Sequence, residues 1–466
     1  MPLTNSCDVL IIGGGPGGYQ GAIRAAQAGL RTALVEKNKL GGTCLQEGCI
    51  PTKSLIHVAG VLNTVKYGEE SGIKVEQYSL DWDKIQQNKN QVVDRLTKGL
   101  GQLISANKVD LVEGEARLIE DKKVVVKTHG GENITLRGEN IIIATGSHAV
   151  KPPIPGVDLP GVIDSREALE LPTIPKSMLI IGGGIIGMEF ASLYNALGCD
   201  VTVVELLPRI LSGMDREISR RMESEQKRRG IKILTGGKVL GLNEGCKGLE
   251  ACIEHRGKEK TIPVEKILLA VGRSPNIENI ELETLGIKLT ENNGISVSEY
   301  MGTNAAGVYA IGDVTGDHLL AHVASAEASV AVDNIIGGKR KMSYRAVPSV
   351  VYTFPETATV GITEEQAKEM GLEYKSTKFM MAANSRAAVM GGPQGMVKII
   401  TGQEDNILGA HILGPQAAEL IHELTLAINA SVGAQEIAHT IHAHPTLSEA
   451  IMETAQGVNQ GFIHII

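Results

Sequence analysis

The sequence predicts an α/β protein in which one strand–helix–strand unit is used twice and a different kind of domain closes the chain. Three observations carry this. Glycine loops of the form G-x-G-x-x-G occur at two places, each between an apolar run and a helical stretch, and each leads on to a strand ending in glutamate. The two copies are offset by 169 residues, both for the first glycine (Gly13 and Gly182) and for the acid (Glu36 and Glu205). Residues 343–466 contain strand and helix patterns but no such loop.

In the first copy, DVLIIGGGPGG (8–18), the run Val9–Ile12 reads as a short buried strand. Gly13, Gly15 and Gly18 give the turn, the close approach to a pyrophosphate and the tight helix–strand packing, and Glu36 can bond ribose hydroxyls. The N-terminus of the helix offers free N–H groups and a favourable dipole to an anion. The second copy, MLIIGGGIIG (178–187), repeats this with Gly182, Gly184, Gly187 and Glu205. These are two Rossmann-like dinucleotide-binding domains, and two nucleotides in one chain suggest electron transfer between them. IIIATGSHAV (141–150) and TNAAGVYAIGDV (303–314) read as strands ending in Thr145-Gly146 and Gly312-Asp313, where strand carboxyl ends line a ligand. KILLAVGRSPN (266–276) closes the second unit at Gly272. The division expected is 1–148 for the first segment of the flavin-binding domain, 149–271 for the NAD-binding domain, 272–342 for the segment completing the first site, and 343–466 for an α+β domain.

Composition narrows the function. The chain has 466 residues, 42% of them hydrophobic and 21% charged, as in ordinary globular proteins. A formal net charge of −8 argues against nucleic acid as the main partner. No apolar run reaches membrane-spanning length, and the opening MPLTNSCDVLIIGGG has no basic stretch of a leader, so a cytoplasmic protein is expected. Six cysteines in so long a chain make no disulfide framework. Cys7, Cys199, Cys246 and Cys252 read as structural or surface residues.

Cys44 and Cys49 are different. They sit in GGTCLQEGCIPTK (41–53), with four residues between them. That spacing is not the three- or four-residue step that aligns side chains on a regular helix, and Gly48 and Pro51 suggest a distorted turn. The pair can be a disulfide that cycles, with attacker and resolver held close together. A zinc pair would need two further ligands, and none is in view. A purely structural disulfide is disfavoured in a reducing compartment. Near the end, IHAHPTLSEA (441–450) places Glu449 where it can reach back to His444 and fix its tautomer, as in base–carboxylate pairs. His442 is the competing imidazole.

With these motifs assembled, the chain resembles the pyridine nucleotide-disulfide oxidoreductases essentially end to end. GGTCLQEGCIPTK, both fingerprints, ATGS, VYAIGDV, LLAH, VPSVVYT, ANSRA and ILGAHILGP carry the resemblance. The HAHPTLSE tail favours the branch that oxidises dihydrolipoyl groups over the glutathione and mercuric reductases.

The resemblance implies roles. Cys44 is the interchange thiol, Cys49 lies against the flavin, and His444 with Glu449 is the base, reaching the site from the other subunit of a homodimer built on the last domain. Lys53 and Glu189 form an ion pair beside the flavin ring. FAD contacts are implied for Gly13, Gly15, Gly18, Glu36, Lys53, Gly114, Thr145, Gly146, Ser147, Asp313 and Ala321. NAD contacts are implied for Gly182, Gly183, Gly184, Ile185, Ile186, Gly187, Met188, Glu189, Glu205, Val239 and Gly272. No metal is implied. The partner is a lipoyl-bearing acyltransferase of a 2-oxoacid dehydrogenase complex, or the lipoyl carrier protein of the glycine cleavage system.

Thr52, Phe354 and Thr359 depart from the family pattern, the latter two affecting packing near the interface. Glu205 at the ribose position disfavours a 2′-phosphate, with Arg209 a weak opposing signal. A flavin-bound scaffold without thiol chemistry would leave Cys44, Cys49 and the His444–Glu449 pair without a purpose.

Overall fold

The computed structural model describes residues 6–245, 248–392 and 394–464; Cys246 lies outside them. Ser6–Ile12 is the centre of a six-stranded sheet, paired in parallel with Thr32–Glu36 on one side and Asn133–Ile143 on the other. Its buried residues Val9 to Ile11 have no exposed surface, as expected of a strand covered on both faces. Asp110–Ile119, Lys123–Thr128 and Asn133–Ile143 form an antiparallel meander within this sheet. Val308–Ala310 returns from far along the chain to pair with Asn133–Ile143.

The second unit is an all-parallel five-stranded sheet: Lys232–Thr235, Asp200–Glu205, Ser177–Ile181, Lys266–Leu269 and Val162–Ile163 in that spatial order. A three-stranded antiparallel sheet, Gly237–Gly245, Gly248–His255 and Lys258–Val264, packs beside it. The last unit is an antiparallel five-stranded sheet running Ser349–Val351, Glu356–Gly361, Ile407–Gly414, Met396–Thr401 and Lys375–Met380. Helices Ala417–Ala430, Ala434–His439 and Glu449–Gln456 cover it through a shared apolar core. Among the described residues no helix is long and apolar enough to cross a membrane.

Two local readings change. Both loop helices begin earlier than the apolar pattern indicated, at Pro16 and Ile185, directly after Gly15 and Gly184. The loop is therefore itself the helix N-terminus. The expected distorted turn at Gly48 and Pro51 is a break at Gly48 alone, where φ −141° and ψ −108° separate helix Gly42–Glu47 from helix Cys49–Tyr67. Pro51 lies inside the first turn of the second helix, where a missing N–H costs nothing.

A candidate dithiol centre between two nucleotide loops

Each glycine of the two loops has its own physical reason. Gly13 and Gly182 adopt φ +106° and +110°, and a Cβ would lie 2.2 and 2.3 Å from the carbonyl oxygens of Ala144 and Ala270. At Gly18 and Gly187 a Cβ would stand 1.8 and 2.0 Å from the Gly13 and Gly182 oxygens. Gly15 and Gly184 are unlike these. A Cβ at Gly15 would meet nothing nearer than Gly42 Cα at 3.9 Å, and one at Gly184 would meet nothing within 4 Å. No protein contact requires glycine there, which fits a bound pyrophosphate approaching the backbone at both loops. Gly146 (φ +73°) and Gly272 (φ +129°) likewise face open space.

Both acids brace their loops. Glu36 Oε2 accepts from Gly14 N–H at 2.6 Å and Oε1 from Asn38 N–H at 2.7 Å. Glu205 accepts from Gly183 N–H at 2.5 Å and Leu207 N–H at 2.7 Å. Each carboxylate oxygen keeps a further lone pair for a ribose hydroxyl. Arg209 donates to the Ser212 carbonyl at 2.7 Å, so its guanidinium is engaged within its own loop.

The other residues implied for the first site lie on several elements. Ser147 donates to Asp313 at 2.5 Å and accepts from Arg273 Nε at 2.8 Å. Thr145 is held by Asn276 through bonds of 2.8 and 2.9 Å. Ala321 is the first residue of helix Ala321–Ile335, which packs on the first loop so closely that a Cβ on Gly17 would lie 3.0 Å from Ala324 O. Gly114 faces the Lys127 carbonyl, 2.5 Å from where a Cβ would be. In the second unit, Ile185, Ile186, Gly187, Met188 and Glu189 form the opening turns of one helix, and Val239 is buried in the antiparallel sheet.

Cys44 and Cys49 lie on either side of the Gly48 break as free thiols. The hydrogen bond from Cys44 and the ammonium of Lys53 bring the Cys49 thiol down to about 7, against burial and Glu189. The same hydrogen bond and burial push Cys44 up. The Lys53 ammonium favours the thiolate on the Cys49 member of the pair. Lys53, one turn along from Cys49, binds both oxygens of Glu189 at 2.9 and 2.7 Å. Cys7 and Cys199 are buried and burial raises both thiols, which fits structural roles. Cys252 is half-buried in the antiparallel sheet.

At the other end of the chain His444 Nδ1 bonds Glu449 Oε1 at 2.9 Å, and the Thr446 N–H donates to Oε2 at 2.7 Å. Burial pushes the Glu449 carboxyl up, but Thr446 and His444 outweigh it and hold it below its ordinary range. His442 has both ring nitrogens engaged, with Glu423 at 3.0 Å and the Thr440 carbonyl at 2.9 Å. Within one chain the structure brings His444 to Glu449 but to neither cysteine; its side chain is 71% exposed. Among the described residues no group of His, Cys, Asp or Glu is arranged to hold a metal.

Residues 7–328 match the model of the pyridine nucleotide-disulphide oxidoreductases, and residues 347–455 match the dimerisation domain of the same family. The chain belongs to the pyridine nucleotide-disulphide oxidoreductase family. It is 42% identical to a dihydrolipoyl dehydrogenase of Bacillus subtilis (strain 168), over 99% of this chain and 100% of that one. It is 41% identical to a dihydrolipoyl dehydrogenase of Geobacillus stearothermophilus, over 98% and 97% of the two chains. The solved structure of the HOCl-induced flavoprotein disulfide reductase of Escherichia coli superposes with a TM-score of 0.86 at 31% identity, covering 97% of this chain and 100% of that one. The family's dimerisation domain supports a homodimer. Its region here carries Ile441, Val389 and Leu426, which are 98%, 73% and 66% exposed in the single chain.

Sequence reasoning passed over several residues. Arg273 and Asn276 lie in VGRSPN, read only as a turn, and Tyr352 lies in VPSVVYT, quoted only for resemblance. Phe354 touches the thiol helix, 3.5 Å from where a Cβ on Gly60 would be, and its carbonyl accepts from Gln226. Thr359 bonds the buried His411 within the last sheet. Glu327, from the middle of a helix, lies beneath the Asp313 turn: it accepts from Gly312 N–H at 2.6 Å and Tyr344 O–H at 2.7 Å.

Burial pushes the Glu327 carboxyl up to about 7 from an ordinary 4.5, with those two donors opposing. Between these values the folded protein binds a proton that the unfolded chain has released. Stability is then full below about pH 4.5 and is lost as pH rises through 7, by about 3 kcal/mol for this group. In thermal melts from pH 4.5 to 8, Glu327→Gln should remove that component of the decline. An unchanged pH profile would show that Glu327 is ionised throughout.

Proposed function

We propose that this flavoprotein oxidises protein-bound dihydrolipoamide to lipoamide with NAD⁺ as acceptor, through a Cys44–Cys49 disulfide. The observation that carries the reading is the pair of free thiols on either side of the Gly48 break, at the head of helix Cys49–Tyr67, with Lys53 of the same helix ion-paired to Glu189.

His444, supplied by the opposite copy in a homodimer, takes the proton of the first dihydrolipoyl thiol. The substrate thiolate attacks Cys44 Sγ and the Cys44–Cys49 bond breaks, leaving Cys49 as a thiolate beside the Lys53 ammonium. The second substrate thiol then attacks the mixed disulfide. Its proton passes to the departing Cys44 sulfur, lipoamide leaves with Cys44 as a thiol, and His444 keeps the first proton as the imidazolium. Glu449 holds the ring and stabilises its charged form. FAD, when bound, supplies the two-electron relay from this dithiol to NAD⁺. Gly13, Gly15, Gly18, Glu36, Lys53, Gly114, Thr145, Gly146, Ser147, Asp313 and Ala321 would hold it. Gly182 to Glu189, Glu205, Val239 and Gly272 would hold NAD.

On this reading 1–148 and 272–342 together hold FAD, 149–271 most of the NAD site, and 343–466 the contact between copies. The lipoyl group comes from the acyltransferase of a 2-oxoacid dehydrogenase complex or from the lipoyl carrier of glycine cleavage. A disulfide that must be reduced in every turnover, beside free buried cysteines, suits the cytoplasm.

The test is NADH formation from NAD⁺ and dihydrolipoamide by the purified holoenzyme, with NADP⁺ and glutathione as controls. Turnover should be confined to the first pair. Glutathione disulfide reduction by NADPH at a comparable rate would overturn the reading. Glu205 speaks against that outcome, because its carboxylate would face a 2′-phosphate.

A further inference from the structure

The Lys53–Glu189 pair has a third member from another region of the fold. Tyr352 follows the strand Ser349–Val351 of the last sheet. Its N–H donates to Glu189 Oε1 at 3.0 Å, and its ring lies 4.7 Å from Lys53 Nζ. The segment is tied down on either side: Phe354 N–H donates to Ser192 at 3.2 Å, and Gln226 donates to the Phe354 carbonyl at 2.9 Å. The last domain thus reaches into the junction between the thiol helix and the helix of the second loop.

We infer that Tyr352 is a positioning residue whose ring keeps the Lys53 ammonium beside Cys49 while its backbone orients Glu189. The inference rests on the reading of Cys49 as the inner, charge-bearing thiol.

The physical need follows from the chain itself. Lys53 has a flexible four-carbon stem whose other rotamers carry the ammonium away from Cys49. Glu189 is 5% exposed and stays in place. If Lys53 swings out, Cys49 loses its cation and keeps a nearby carboxylate, and both changes oppose the thiolate. An aromatic face attracts an ammonium without adding charge. A carboxylate alone could not do this without adding negative charge beside the thiol. Among the described residues the Tyr352 hydroxyl bonds to nothing, so the ring is the working group.

The experiment measures the pH dependence of Cys49 alkylation by iodoacetamide. It uses FAD-loaded protein in a Cys44→Ser background and reads the Cys49 peptide by mass spectrometry. Tyr352→Leu and Tyr352→Met remove the ring but keep the backbone N–H. Each should slow alkylation at pH 6 about tenfold, a one-unit rise in the thiol pKa, and leave the rate at pH 10 unchanged. Tyr352→Phe should keep the profile of the parent. Lys53→Met should raise the pKa by itself, and adding Tyr352→Leu to it should then change nothing further. A merely structural role for Tyr352 would shift the rate at all pH values, or add to the Lys53→Met effect. Either result, or an unchanged profile in Tyr352→Leu, overturns the inference. Failure of the proposed function would show separately, as absence of dihydrolipoamide turnover in the unaltered enzyme.

Discussion

Cys44→Ser should lose dihydrolipoamide turnover by on the order of 10⁴-fold or more, the scale seen when a covalent nucleophile is removed. A serine oxygen forms no disulfide, so the substrate thiolate has no sulfur to attack, and no background route replaces the covalent step. The loop glycines, Glu36, Glu205, Lys53 and Glu189 are untouched. Flavin content should therefore stay at one per chain, and NADH should still reduce an artificial acceptor that bypasses the thiols. Thiol counts on the unfolded unaltered protein, with and without prior reduction, should differ by two, and this difference should vanish in the variant. Near-normal dihydrolipoamide turnover by Cys44→Ser would remove the disulfide from the mechanism. Loss of both activities together would point to a folding or flavin defect.

His444→Ala should cost on the order of 10²–10⁴ in dihydrolipoamide turnover, the range for loss of a positioned general base. Glu449→Gln should cost less, because the imidazole remains and only its orientation and the stabilisation of its charged form are lost. In both variants NADH oxidation with an artificial acceptor should persist. His444 and the cysteines are not brought together within one chain, so mixed dimers give a sharper test. Combining His444→Ala chains with Cys44→Ser chains should restore some of the activity, since one site in each mixed dimer then has an intact Cys44 and an intact His444. No recovery, with mixed dimers shown to form, would place each site within a single chain. Near-normal turnover in His444→Ala would reject the base. His442 is a poor substitute, because both of its ring nitrogens are already bonded within the chain.

The two nucleotide units were legible because their constraints are local. A glycine at φ +106°, or one whose Cβ would stand 1.8 Å from a loop carbonyl oxygen, leaves a mark at one position in the sequence, and the 169-residue offset repeats it. The break between Cys44 and Cys49 was half legible: the spacing excluded one regular helix, and Gly48 supplied the break. Pro51 misled because a proline in a first helical turn reads like a proline in a loop. Glu327 left no mark at all. A glutamate in the middle of a helix is usually solvated, and only the approach of the Gly312 turn makes it a buried acceptor.

The sequence by itself determined the repeated dinucleotide unit, the thiol pair and the histidine–glutamate pair at the end of the chain. Each of these rests on neighbours a few residues apart, and short-range geometry follows directly from residue type. The family resemblance implied the Lys53–Glu189 pair beside the thiols, but only the tertiary structure added Tyr352 to it. Lys53, Glu189 and Tyr352 are more than a hundred residues apart from one another and meet where helices Cys49–Tyr67 and Ile185–Ala196 pack against the end of strand Ser349–Val351. The tertiary structure also engages both ring nitrogens of His442, whereas His444 is bonded at Nδ1 alone and stays exposed. Such contacts arise from the packing of whole elements, and at any one position residue type records them only weakly.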